Sequence, residues 1–201
     1  MKLTPPPLPP NVPPDIHTHH RDAVPGSAVV NLELGEDAPA SPVLFSAGIH
    51  PWDAAKADDR VWQWLERVLT APNAYAVGEA GIDQRRGAAP DVQMPVFVRQ
   101  ALLADSLGKP LIVHVVGAYD RLFEVQRDVM RRNGGRVPLW IIHGFRGKRE
   151  LARQLLDHGM YISIGQRYNP DAVAVIPADR LLHETDTAPA QSIDPPSHHL
   201  G

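Results

Sequence analysis

Apolar residues in this chain come in short unbroken runs, and most of the runs stop on a polar residue. Eight of them read as strands, at 15–19, 28–34, 43–49, 74–79, 110–115, 138–143, 160–164 and 181–186. Most are continuously apolar rather than alternating, the pattern of strands covered on both faces of a parallel sheet. Longer stretches with helical spacing lie at 58–70, 91–107, 119–133 and 148–158. In the last of these Leu151, Leu155 and Leu156 share one face and Gly159 ends the run. Strand and helix alternate, which predicts an α/β fold, and eight strands predict a closed TIM-type (β/α)8 barrel. The first two connections are too short for full helices and none is predicted after the eighth strand. The barrel is therefore expected to be compact, with reduced early helices and no C-terminal helix. Prolines crowd both ends, which divides the chain into a proline-rich tail at 1–14, a single barrel at 15–189 and a C-terminal tail at 190–201.

Bulk properties narrow the function classes. With 201 residues, 43% of them hydrophobic, the chain supports one domain with a sizeable core. A net charge of −3 excludes a uniformly basic surface, so affinity for phosphate has to come from a local site. The absence of cysteine rules out disulfides, thiolate zinc sites and a cysteine nucleophile. No apolar run reaches membrane-spanning length, and the N-terminus lacks the order of a signal peptide. The expectation is a cytoplasmic protein with no membrane association and no obligate protein partner.

The strand ends carry the candidate chemistry. In Asp15-Ile-His-Thr-His19 the two histidines are two residues apart, so a strand turns them to one side, where they suit a single transition metal. Glu79 follows an apolar run and is flanked by Gly78 and Gly81; it reads either as a solvated strand end or as a carboxylate between two cations. His114 and His143 each close an aliphatic run. Asp186 reads as a turn residue before Pro189, or as a ligand that also takes a proton from an attacking water. In a barrel all these ends meet at the C-terminal face. Four histidines and two carboxylates give the mixed nitrogen and oxygen set of catalytic divalent metals, with zinc, manganese and magnesium as candidate ions. Two dications against two carboxylates leave a positive surplus that attracts an anion such as a phosphodiester.

Seven motifs occur in one order: Asp15-Ile-His-Thr-His19, Ala47-Gly-Ile-His-Pro51, Val77-Gly-Glu-Ala-Gly-Ile-Asp83, Lys109-Pro-Leu-Ile-Val-His114, Ile142-His-Gly-Phe-Arg-Gly147, Gly159-Met-Tyr-Ile-Ser-Ile-Gly165 and Glu184-Thr-Asp186. In these the chain resembles the TatD family of metal-dependent hydrolases and deoxyribonucleases. The resemblance implies that His17, His19 and Asp186 hold one metal, His114 and His143 a second, and that Glu79 bridges them, with His50 close by. It implies a metal-activated water acting on DNA or a smaller phosphate ester. The chain also departs from the pattern. Trp52 stands where the family usually has a second histidine, and Val116 and Gly117 where it usually has an arginine and an acid. It ends soon after Asp186, as a shorter subgroup marked by His143-Gly-Phe-Arg-Gly-Lys148 would.

The missing arginine leaves phosphate recognition to other residues. Arg146 and Lys148 open a predicted helix beside His143, and Arg85 and Arg86 follow the fourth strand; all four also read as surface charges. Trp52 reads as a base-stacking residue or as rim packing, whereas Trp62 and Trp64 read as helix packing. Two alternatives to a phosphodiesterase stay open: a hydrolase of amide, lactone or ester bonds using the same water, and a catalytically inactive metal-binding scaffold.

Overall fold

Strands that are buried on both faces can lie in any order in a sheet, and here they lie in sequence order. The computed structural model describes residues 2–189; the tail at 190–201 lies outside the described residues. Its strands are β1 (Asp15–Thr18), β2 (Ala28–Asn31), β3 (Leu44–Ala47), β4 (Ala74–Asp83), β5 (Leu111–Val116), β6 (Trp140–Ile142), β7 (Tyr161–Ile164) and β8 (Leu181–His183). They form one eight-stranded sheet in the order β1 to β8, each pair parallel. The helices are α1 (Asp59–Val68), α2 (Pro90–Ser106), α3 (Tyr119–Arg132), α4 (Arg149–Asp157) and the short α5 (Pro170–Val173). No helix joins β1 to β2 or β2 to β3, as their short spacing predicts. Short 3-10 turns at Pro51–Lys56 and Ala178–Arg180, and α5 itself, are additions to the expected elements.

The sheet closes just beyond the ends of its first and last strands. Asp186 N–H donates to the His17 carbonyl at 3.0 Å, and His19 N–H donates to the Asp186 carbonyl at 2.9 Å. A buried side chain clasps the same seam: the Asp15 carboxylate accepts from Thr185 N–H at 3.0 Å, from the Thr185 hydroxyl at 2.6 Å and from His17 N–H at 3.3 Å. Burial pushes the Asp15 carboxyl up, against these hydrogen bonds.

Strand alternation then sorts the interior into layers. On β5, Leu111 and Val113 pack outward with the helices while Ile112 packs inside; on β6, Trp140 and Ile142 pack outward while Ile141 packs inside. The next inward positions are His114 and His143, so the barrel is apolar at its floor and histidine-lined at its mouth. The proline-rich N-terminal segment lies across that floor. Leu8 and Val12 pack on the inner cluster that contains Ile16, Ile112 and Ile141. The Tyr161 hydroxyl donates to the Pro6 carbonyl at 3.1 Å, and Leu3 N–H donates to the Asp157 carbonyl at 2.8 Å. Its prolines exclude it from helix and ladder, yet the segment covers core.

Several strands are shorter than the expected runs, β2 ending at Asn31, β3 at Ala47 and β6 at Ile142, and two boundaries differ in ways that bear on the site. β4 runs past Glu79 to Asp83, because the ladder slips between Val77 and Ala80 and then resumes from Ala80↔Val113 to Asp83↔Val116. The eighth strand stops at His183, and Asp186 reaches the sheet only through its bridge to Thr18. Among the described residues no helix is long and apolar enough to cross a membrane.

Replacing Asp15 by alanine removes the acceptor of two buried backbone N–H groups at the seam and leaves the Thr185 hydroxyl with Thr18 alone. The expected cost is about 2–3 kcal/mol in denaturant unfolding, and a loss below about 0.5 kcal/mol would show that the seam does not depend on this carboxylate.

Candidate metal centre

Glu79 sits 6% exposed at the mouth of the barrel, and four strands plus one loop deliver histidines and an aspartate to it. One carboxylate oxygen, Oε1, lies 2.7 Å from His143 Nε2, 2.8 Å from His114 Nδ1 and 3.4 Å from His50 Nε2. The other, Oε2, lies 3.5 Å from His17 Nε2 and 3.6 Å from His19 Nε2. Those two nitrogens face Asp186 Oδ1 at 3.8 and 3.7 Å. The structure therefore brings together all six residues expected to hold metal, and adds His50. It places them in two half-sites that share one carboxylate.

Backbone features allow this crowding. Gly81 has φ +154°, and a Cβ there would lie 1.9 Å from the His114 carbonyl oxygen, so only glycine lets β4 pass so close to β5. A Cβ on Gly48 would meet the Gly78 and Glu79 backbone at 2.7 Å. The Asn31 side-chain oxygen accepts from Glu79 N–H at 3.0 Å and fixes the carboxylate's base.

Other side chains hold the histidines by their far nitrogens. Glu184 Oε1 is 3.3 Å from His143 Nδ1 and accepts from Gly144 N–H at 2.7 Å. Asp83 Oδ2 is 3.4 Å from His114 Nε2, and Glu33 Oε1 is 3.4 Å from His19 Nδ1. A carboxylate behind an imidazole fixes its tautomer and raises its basicity, a recurrent arrangement at metal centres. Two glutamines on α2, seven residues apart and so on one face, anchor the loops. Gln100 clasps Ile49, accepting from its N–H at 2.6 Å and donating to its carbonyl at 3.0 Å, next to His50. Gln93 accepts from Asp83 N–H at 2.8 Å and donates to the Asp83 carbonyl at 3.0 Å.

Whether these residues fit a metal is decided by three observations. Both ring nitrogens of the fully buried His17 lack a hydrogen-bond partner, a cost that ligation removes. The spacings of 3.4–3.8 Å between most facing donor atoms are near the edge of a tetrahedron, about 3.3 Å for metal–nitrogen bonds of about 2.0–2.1 Å. The cavity above the centre, about 400 Å³, is lined by Glu33, Asp53, Glu79 and Asp186 and by no lysine or arginine. The donor set fits a divalent cation, and no lysine or arginine of the lining stands in for one. His17, His19 and Asp186 form one candidate group; Glu79 joins His17 and His143 in a second and His50 and His114 in a third.

Protonation follows the same geometry. Burial pushes the Glu79 carboxyl up, but the charge of His143 and hydrogen bonds from His114 and His143 hold it well below its ordinary value. Burial opposes charge on His143, yet Glu79 and Glu184 raise it well above the ordinary imidazole range. Donation from its ring to the Glu79 carboxylate likewise raises His19.

The expected substrate contacts divide. His50 and Trp52 line the cavity. The Trp52 indole N–H donates to Asp83 Oδ2 at 2.7 Å, and the Arg86 guanidinium lies 4.9 Å from its ring centre. Arg146 lines a neighbouring cleft instead, and Lys148, the residue capping α4, lines neither space. Val116, where an arginine is usual, pairs with Asp83 in the ladder. Trp62 and Trp64 are buried, with Arg99 over Trp62 at 3.8 Å. Sequence reasoning gave no role to Asp83, Glu184, Asn31, Gln93 or Gln100. Asp83 and Glu184 stand inside quoted motifs just after apolar runs, the same signal that marked Glu79 and Asp186.

Comparison with known proteins follows this geometry. Residues 25–196 match the model of the TatD related DNase family. The chain is 35% identical over 150 residues to a 3'-5' ssDNA/RNA exonuclease TatD of Edwardsiella piscicida, covering 70% of this chain and 56% of that protein. It is 30% identical over 152 residues to the uncharacterized metal-dependent hydrolase YabD of Bacillus subtilis, covering 72% and 58%. It thus spans little more than half the length of these relatives. Among solved structures, YJJV, a TatD homolog from Escherichia coli, superposes with a TM-score of 0.67 at 23% identity, covering 85% of this chain and 77% of that one. A TatD family hydrolase from Entamoeba histolytica gives 0.59 at 21% identity, covering 74% and 54%.

Metal uptake at this centre competes with a proton on His143. That proton is favoured up to a pH above the ordinary value of about 6.5, so zinc affinity should fall steeply as the pH drops through that range. Calorimetry in buffers of different ionisation enthalpy should record proton release on binding. Uptake with no proton release would contradict the raised His143.

Proposed function

Because the chain belongs to the TatD related DNase family, we propose that it is a metal-dependent phosphodiesterase acting on single-stranded nucleic acid, in the cytoplasm where such strands are at hand. The observation that carries the reading is the pair of half-sites sharing Glu79, each histidine but His17 and His50 backed by a carboxylate. His17, His19 and Asp186 would hold one divalent cation, and His114 and His143 the other, with Glu79 between them. Ions held there supply the positive charge that draws in a phosphate and polarises water toward attack.

The chain's own residues do the rest. Asp186 lines the cavity with its side chain 32% exposed, within reach of a water and a substrate. It takes the proton of the attacking water as the water oxygen bonds to phosphorus; the bond from phosphorus to the leaving oxygen breaks, and that oxygen receives the proton. Trp52 walls the cavity at the β3 end, 44% exposed, with its indole N–H spent on Asp83. That leaves aromatic surface to receive a base, a contact that tolerates any sequence. The cavity of about 400 Å³ is of the size that takes a small ligand.

The test uses Asp186→Asn. Asp186 has φ +54°, a conformation asparagine tolerates, so the variant removes the charge without straining the turn. Protein stripped of metal and reloaded with zinc, manganese or magnesium is assayed on single-stranded DNA, a generic phosphodiester and a simple ester. Phosphodiester turnover is expected with metal and should fall at least about 100-fold in the variant. Turnover of the ester alone would replace this reading with hydrolysis of carboxylic esters or amides, and metal binding without any turnover would replace it with a scaffold.

Trp52→Ala should raise KM for single-stranded DNA by about 5–100-fold, as loss of one stacked base predicts. An unchanged KM would make Trp52 a packing residue.

A further inference from the structure

The metal cavity has a neighbour. A second cleft, of about 320 Å³, opens on the other side of Asp186 and Thr187, which line both spaces. It lies over the ends of β6, β7 and β8, the region where TIM barrels often seat a phosphate. Its lining differs from that of the cavity by carrying arginines beside its two acids, Glu184 and Asp186. Where the cavity has four carboxylates and no lysine or arginine in its lining, the cleft presents Arg146 and Arg167. Both are exposed, and among the described residues neither has an ion pair or a hydrogen bond to an acid. Other exposed arginines are paired, as in Arg121–Glu124, Arg131–Asp128 and Arg136–Asp105, or stand unpaired like these two, as Arg60 and Arg153 do; what sets Arg146 and Arg167 apart is that they share one cleft. Two acids share the cleft, Glu184 and Asp186, and neither pairs with an arginine. Glu184 Oε1 faces His143 and Gly144 N–H, and Asp186 Oδ1 faces His17 and His19. The two guanidiniums are thus left to face whatever enters.

Resting on the nuclease reading above, we propose that this cleft is a second phosphate subsite, in which Arg146 and Arg167 grip the phosphate of the nucleotide adjoining the one being cleaved. A strand lying across Asp186 would place its scissile phosphate at the metal centre and its next phosphate between the two arginines. Planar guanidiniums suit that role, since each pairs with two phosphate oxygens at once. The subsite supplies the phosphate contact that Val116 cannot, from a different loop. It makes the preferred substrate a strand with at least two phosphates rather than an isolated diester.

The double variant Arg146→Ala/Arg167→Ala tests this in the metal-loaded full chain. One substrate is a short oligothymidylate, the other bis(p-nitrophenyl) phosphate, which has a single phosphate. The ratio of kcat/KM for the oligonucleotide to that for the small diester should fall about tenfold, through KM, as loss of charged phosphate contacts predicts. Equal losses on both substrates, or an unchanged ratio, would overturn the subsite. Binding is read separately, by anisotropy of a labelled oligothymidylate on metal-loaded Asp186→Asn protein with and without the two arginines. Removing them should weaken binding about tenfold and flatten its salt dependence by about 0.7 for each lost phosphate contact. No change in affinity or salt slope would overturn the subsite even where the wild-type chain cleaves the oligonucleotide. If the wild-type chain cleaves no phosphodiester but the binding difference is seen, the subsite stands and the nuclease reading falls.

Discussion

A carboxylate buried at the mouth of a barrel costs several kcal/mol unless its charge is answered, and the answer given to Glu79 organises most of this structure. Imidazoles from β1, from the loop after β3, from β5 and from the end of β6 converge on its two oxygens. Each of those elements must then be held at a fixed height in the barrel. Asn31 fixes the Glu79 backbone, Glu184 and Asp83 hold His143 and His114, and Gln100 holds the loop that carries His50. Even closure of the sheet serves the same point. The seam between β1 and β8 is what brings Asp186 opposite His17 and His19.

Much of this was legible in the sequence because burial on two faces leaves a plain mark. A strand covered by helices outside and packed side chains inside has no polar face, so its polar residues gather at its end, and in a parallel barrel every such end points the same way. His114, His143, Glu79 and Asp186 were found on that ground. The same logic covers Asp83 and Glu184, but each stands so close to Glu79 or Asp186 that one strand end accounts for both residues in the sequence. Gln93 and Gln100 left no mark at all. Buried glutamines on an otherwise ordinary helix are visible only when their partners, the backbone of Asp83 and Ile49, are in view. The course of β4 beyond Glu79 was hidden for a related reason. Gly78 and Gly81 interrupt the apolar run, so a strand end at Glu79 is one reading of it, while in the barrel they let the strand slip its register and continue against β5.

The floor shows the reverse case. Prolines in 2–14 correctly exclude regular structure, but exclusion from a ladder is not exclusion from a core. A barrel whose first two connections carry no helix leaves apolar surface near β1, and Leu8 and Val12 cover part of the inner cluster from below. Polar chemistry at one end of the barrel thus coexists with an apolar plug at the other.

The two half-sites around Glu79 are unlike. His114 and His143 lie within direct hydrogen-bond distance of Glu79 Oε1, and both have carboxylates behind them. His17, His19 and Asp186 stand further apart; His17 makes no hydrogen bond through either nitrogen, and Asp186 is the most exposed of the set. A tightly backed group holds its cation in one geometry, while an open one leaves room for an exchangeable ligand, as catalytic sites do and closed structural sites do not. The open half-site also borders the space shared by the cavity and the arginine-lined cleft. Under the proposed function the β5 and β6 side would hold its cation in the more rigid setting, and the β1 and β8 side would be the one left open to a substrate.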